Sequence, residues 1–378
     1  MKVSYITTHD AQDIHNWSGL SYFISQALCD QGATIEYINN LKTRNTAEAA
    51  LKSLYYRIIR GEKYIKKRNP TVAKSYAMQA VKQISDDSQF IFSPGSLPLA
   101  LINSEKPIIF YTDATFAGML DFYADFSNLC KATIKEGHYL EQSALDKCTL
   151  ALYASDWAAK SAISNYKVDP GKVRVVPFGA NISHSKNADD IRDIIKARSK
   201  TTCRLLFMGV NWIRKGGDMA LKVADQLNKK GIKTELHVVG LKTIPIRYIP
   251  HYVINHGFIS KSTEEGRYEI EKLLTICNFL IVPSVAEAYG LVFCEASAYG
   301  LPSLARDVGG VATIIKNNVN GKTFDLESPA DEYAAYIESY FKDYSKYEEL
   351  AFSSYLEYQK RLNWKISGGS IVNMLKEL

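Results

Sequence analysis

Pro283-Ser284-Val285-Ala286-Glu287-Ala288-Tyr289-Gly290-Leu291-Val292-Phe293-Cys294-Glu295-Ala296 follows an apolar run, turns at a glycine, and continues into a segment of helical spacing that carries a second glutamate. Glycine at 290 lets the backbone approach a ligand closely, because no side chain intervenes. The N–H groups that open the next helix lack intrahelical partners and favour an anion. A diphosphate fits such a place. Glu287, before the turn, would face whatever the phosphates carry. Glu295, inside the helix, is a two-oxygen acceptor suited to vicinal hydroxyls such as those of ribose.

Upstream, Gly209-Val210-Asn211-Trp212-Ile213-Arg214-Lys215-Gly216-Gly217 is another strand end and turn, with two cations at a helix start. Fixed positive charge there neutralises a diphosphate and stabilises the charge that grows on a departing nucleotide. Around these two stretches, short apolar runs at 204–209, 235–239, 253–256, 279–282 and 303–305 alternate with helical periodicity, including a helix over 216–230. The same alternation precedes them, with strands expected at 2–7, 34–38, 89–92, 107–112 and 150–154 and a short last strand at 174–179. Strands alternating with helices predict mostly parallel, doubly wound sheets. At 378 residues the chain exceeds what one core fills, since cores stop growing near ~250 to 300 residues, so two α/β domains are expected. Their boundary is expected in the polar stretch 180–200.

In this order the motifs resemble the retaining glycosyltransferases of family 4. Tyr153 to Trp157, Val175 to Asn181, Lys215-Gly216, the E-x(7)-E motif from Glu287 to Glu295, Gly300-Leu301-Pro302 and Asp307-Val308-Gly309-Gly310 carry the likeness over most of the chain. The resemblance implies a GT-B fold, two Rossmann-like doubly wound domains facing a central cleft. Residues 1–185 would bind the acceptor and 200–345 the donor, with a helical tail over 346–378 crossing back to the first domain. It implies that Arg214 and Lys215 bind the donor diphosphate, Glu287 the donor sugar and Glu295 the ribose. The amides from Ala288 and Tyr289 through Gly290, Leu291 and Val292 would hold phosphates and sugar. Val210 stands where many family members carry arginine. Trp17-Ser18-Gly19 resembles the loop that approaches the donor from the first domain through Gly19, and Asp113 is the candidate polar group near the anomeric centre, where many relatives have histidine. His9, Asp10 and His15 are weaker acceptor-side candidates.

The activity so implied is a retaining hexosyltransferase using a UDP- or GDP-sugar as co-substrate, with a glycan or lipid-linked acceptor in surface polysaccharide or lipopolysaccharide synthesis. No D-x-D motif is present, so metal-independent chemistry without a further cofactor is expected. A phosphorylase would need a lysine placed for pyridoxal phosphate, and an epimerase leaves the lysine-glycine and E-x(7)-E pair unexplained. A catalytically silent, glycan-binding or scaffolding subunit is the alternative from another class, and retention of Lys215, Glu287 and Glu295 argues against it.

Composition is that of an ordinary globular protein, 46% hydrophobic and 23% charged. The start shows no secretory pattern and no run reaches a spanning length, so a cytoplasmic protein is expected. Six scattered cysteines without a C-x-x-C pair read as buried thiols. A net charge of +6 is no nucleic-acid signature. Between Lys42 and Arg68, however, nine basic residues (Lys42, Arg44, Lys52, Arg57, Arg60, Lys63, Lys66, Lys67, Arg68) face two acidic ones, with Leu51, Leu54, Tyr55, Ile58, Ile59 and Tyr64 interleaved. That pattern fits peripheral contact with an anionic membrane, an acceptor surface, or a solvated helical face.

Overall fold

The computed structural model describes residues 1–43, 47–182 and 186–378. Arg44 of the basic stretch and residues 183–185 of the expected linker lie outside them. The chain divides into two compact units, Met1–Pro177 with Trp364–Leu378, and Phe178–Asn363.

The first unit holds β1 (Lys2–Ile6), β2 (Thr34–Ile38), β3 (Phe90–Ser93), β4 (Ile108–Thr112), β5 (Leu150–Tyr153) and β6 (Val173–Val175), in the order β2-β1-β3-β4-β5-β6. The second holds β7 (Cys203–Met208), β8 (Thr234–Val239), β9 (Val253–Asn255), β10 (Phe279–Ile281), β11 (Ser303–Arg306) and β12 (Gly321–Phe324), in the order β12-β11-β10-β7-β8-β9. Every neighbouring pair is parallel. Parallel sheets are covered on both faces, which is why strands such as β4 and β5 are predominantly apolar and buried at every residue.

In the second sheet the winding direction reverses between β7 and β10. Open parallel sheets bind ligands at the carboxyl ends of the strands beside such a reversal. Both sequence motifs emerge there.

The structure differs from the expected boundaries in three ways. The second unit starts at Phe178, because the stretch read as linker contains the helix Ala188–Ala197, opened by a capping box between Asn187 and Asp190 and burying Ile191 and Ile195. Of the expected tail, helix Tyr344–Arg361 stays with the second unit, and only Trp364–Lys376 joins the first. There it packs on helix Leu20–Cys29 so tightly that a Cβ on Gly368 would meet the Ala27 carbonyl oxygen at 2.4 Å. Strand β12 was not expected, since Gly-Lys-Thr-Phe has no apolar alternation. Gly321, at φ 146°, has no room for a side chain against Ser303.

Arg198 ties the second unit together. It is 2% exposed, and its guanidinium donates to the carbonyls of Leu274, Thr275, Tyr299 and Gly300 and to the Tyr347 hydroxyl at 2.6–3.2 Å. These carbonyls close the helices Glu264–Ile276 and Leu291–Ala298, whose C-terminal ends carry partial negative charge.

All six cysteines are free, five of them buried. Burial pushes the Cys148, Cys277 and Cys294 thiols up to about 12, which leaves them inert packing groups.

Candidate functional site

The loop after β7 forms one turn of helix, Trp212–Lys215, because the Asn211 side chain accepts from the Arg214 amide at 2.9 Å and Gly216 ends the turn at φ 76°. Glycine is required at 216: a Cβ would lie 2.1 Å from the Pro283 carbonyl oxygen. The loop after β10 is stitched to this turn, Val285 N–H donating to Arg214 C=O at 2.9 Å and Arg214 Nη1 to Ala286 C=O at 2.9 Å. Trp212 does not face the site; it is 3% exposed and its indole N–H donates to Asp218 at 2.7 Å.

Glu287 is where the two loops converge. Its Oε2 pairs with Lys215 Nζ, accepts from Ser284 Oγ at 3.1 Å and lies 3.7 Å from Arg214 Nη1. The carboxylate is 8% exposed, and its backbone carbonyl accepts from Gly310 N–H at 3.2 Å, bringing in the Asp307–Gly310 segment. Two cations and one carboxylate thus form a compact cluster at the strand-order reversal.

Gly290, at φ 102° and ψ 66°, caps helix Leu291–Ala298 without a side-chain hydrogen bond. A Cβ there would meet the Phe293 ring at 2.6 Å. Ala288 and Tyr289 are buried, and the Tyr289 hydroxyl donates to Phe178 C=O at 2.8 Å, so this ring is a structural strut. Leu291 and Val292 form the first turn of the helix, half-exposed. Glu295, 3% exposed, pairs with Lys261 at 2.5 Å. Lys261 was not anticipated, because Ser260-Lys261-Ser262 has no pattern and only the fold brings it to a carboxylate 34 residues away.

Gly19 and Asp113 belong to the first unit. Gly19 has φ 79°, and Trp17 and Ser18 before it also lie in the left-handed region, at φ 48° and 57°. Two such non-glycine residues in succession store strain, which concentrates at functional loops. Asp113 follows β4, half-buried. Helix capping there falls to Thr115, whose hydroxyl accepts from Gly118 N–H at 2.9 Å. His9 is held in the loop after β1 by Ser21 at 2.8 Å rather than facing solvent, and burial, then the Lys67 ammonium, depress its imidazole against Asp10 and Asp13. Asp10 braces the same loop through Asn39 at 3.0 Å, and His15 is exposed.

Residues 175–355 match the family model described as glycosyl transferases group 1. Over these residues, just under half of the chain, the sequence is similar to that family. The group 1 glycosyl transferase match covers the strand-order reversal and every site residue named in the second unit. A curated relative, the D-inositol 3-phosphate glycosyltransferase of Paenarthrobacter aurescens, is 24% identical over 202 residues, half of this chain and 48% of that protein. The matched part therefore spans about half the length of such relatives. Among solved structures, sucrose-phosphate synthase from Thermosynechococcus elongatus superposes with a TM-score of 0.69 at 15% identity, covering 100% of this chain and 98% of that one. Anabaena HepE, in a complex with UDP and glucose, superposes at 0.65 and 13%, covering 100% and 99%. These likenesses give the GT-B fold.

Proposed function

We propose that the protein transfers a hexose-type sugar, with retention, from a UDP- or GDP-sugar to a glycan or lipid-linked acceptor in surface polysaccharide synthesis. The observation that carries this reading is the cluster of Arg214 and Lys215 around Glu287, beside the helix opening at Gly290. A bound diphosphate would draw the two cations off Glu287 and onto phosphate oxygens, assisted by the helix start, and Glu287 would be released toward the sugar. Charge on the leaving nucleotide is then met by side chains, without a metal ion. Asp113 is assigned to the reacting carbon, and the strained Gly19 loop to the donor. HepE, solved with UDP and glucose, supports a nucleotide-sugar donor.

The test is a thermal-shift screen of UDP, GDP, ADP and their sugar conjugates on the wild type and Glu295→Ala, without metal. A ligand at 100 times its Kd stabilises the folded state by about 2.7 kcal/mol. One nucleotide series is expected to raise the wild-type Tm and leave Glu295→Ala nearly unmoved. A flat response at millimolar concentration would sink the donor assignment in favour of a silent scaffold.

The acceptor side is proposed to work at the inner face of the cell membrane. Among the described residues no helix is long and apolar enough to cross a bilayer. Helix Ala47–Tyr55 and the turn Tyr56–Arg60, however, leave Leu51, Ile58 and Ile59 at least 65% exposed, with Arg57, Arg60, Lys63 and Lys67 on the surface. Not all the basic stretch contributes: Arg68 is buried against Glu141 at 3.6 Å, and Lys52 is paired with Glu48 and Glu136. Inserting an apolar side chain into a bilayer interface gains up to about 1.5–3 kcal/mol. Leu51→Ser/Ile58→Ser/Ile59→Ser should therefore weaken sedimentation with anionic vesicles at least about tenfold, given that 1.4 kcal/mol is tenfold. Wild-type protein that ignores such vesicles at low salt would remove the membrane from the reading.

A further inference from the structure

We propose that Lys261 is a positioning residue of the donor site, which aims Glu295 at the ribose hydroxyls of a nucleoside diphosphate. The inference rests on the donor reading above and names a residue outside both sequence motifs. Glu295 is embedded in helix Leu291–Ala298 between buried Cys294 and Ala296, itself 3% exposed. A carboxylate withdrawn this far from water needs a counter-charge or several donors. The counter-charge comes from another element: Lys261, in the loop between β9 and helix Glu264–Ile276, places Nζ 2.5 Å from Oε2.

That loop is built to hold the lysine in place. Arg267 Nη1 donates to the carbonyls of Lys261 and Ser262 at 3.2 and 3.0 Å, and the Ser260 and Ser262 hydroxyls bond each other at 2.7 Å. Gly266 packs so closely beneath that a Cβ would stand 1.9 Å from the Ser260 carbonyl oxygen. The Lys261 side chain is 42% exposed, so its stem runs at the surface while its head reaches a buried group. Holding a long side chain in one conformation costs up to about 2 kcal/mol of rotamer entropy, and the pair to Glu295 is what offsets it here.

The two motif carboxylates thus share one arrangement. Each has its Oε2 engaged by a lysine from a different strand-end loop, Lys215 after β7 for Glu287 and Lys261 after β9 for Glu295. Engaging one oxygen fixes the plane of the carboxylate and therefore the direction in which it accepts from a diol.

The experiment is a binding matrix on the full chain: wild type, Lys261→Met and Lys261→Arg, each titrated calorimetrically with UDP, GDP and their 2′,3′-dideoxy counterparts. With the nucleotide that the wild type prefers, Lys261→Met should weaken binding about tenfold, the effect of one charge-assisted hydrogen bond. The dideoxy ligand, which has no ribose hydroxyl to aim at, should bind wild type and Lys261→Met alike. Lys261→Arg should recover most of the affinity. Wild-type affinity in Lys261→Met overturns the proposal, as does an equal loss for the ribo and dideoxy ligands, which makes the lysine a general charge or a structural prop. Absence of binding of either diphosphate to the wild type would instead bring down the donor reading, and this inference with it.

Discussion

Lys215→Ala should lower kcat for sugar transfer by about 100- to 1000-fold, the range found when one preorganised group that meets developing charge is removed. The proposed reaction builds negative charge on the leaving diphosphate, and Lys215 is the cation the fold holds most firmly at that place. Its methylenes lie against Gly209, where a Cβ would meet Lys215 Cγ at 2.7 Å, and its ammonium is fixed by Glu287. Arg214, 30% exposed at its side chain and 3.7 Å from the same carboxylate, covers only part of the loss. Initial rates with the donor selected by the thermal screen decide the matter. A fall in kcat and in kcat/KM together marks an interaction made in the transition state, whereas a rise in KM alone marks uniform binding. Unchanged kcat in a folded Lys215→Ala protein would remove Lys215 from the chemistry.

Arg198→Met should cost the second unit about 3–5 kcal/mol, since the substitution leaves several buried carbonyls without their donor while filling most of the volume. The bonds to the carbonyls of Leu274, Tyr299 and Gly300 are buried and that to Thr275 is part-buried, with the Tyr347 hydroxyl, from helix Tyr344–Arg361, on the same guanidinium. For a unit of this size the loss corresponds to roughly 10 °C in Tm. Calorimetry should show the transition of this unit moving while that of the other stays; a shift below about 2 °C would mean that solvent reaches the carbonyls.

The two predictions differ in how readable their residues were. Lys215 lies in a turn whose glycines and cations are local features, and local chemistry is enough to mark them. Arg198 sits at the end of a stretch that read as a polar linker, because Asp189, Asp190, Arg192, Asp193 and Lys196 mask the narrow apolar stripe of Ile191 and Ile195. Its partners are 76 to 149 residues away, and no pattern within the stretch encodes them. The basic stretch shows the same limit, since charge count alone did not separate the buried Arg68 from the exposed Arg57.

The sequence by itself determined that the chain alternates strand and helix in two α/β units, and that a glycine turn flanked by Glu287 and Glu295 follows a cationic turn at Arg214-Lys215. Hydrophobic period, glycine and charge are properties of neighbours along the chain, so they survive in one dimension. Only the tertiary structure decided that winding reverses between β7 and β10, and that Lys215 closes on Glu287. The same holds for the Lys261 pair with Glu295, and for the last helix leaving its neighbour to pack on Leu20–Cys29. Strand order and ion pairing depend on which distant surfaces bury each other, a free energy summed over contacts that no segment contains alone.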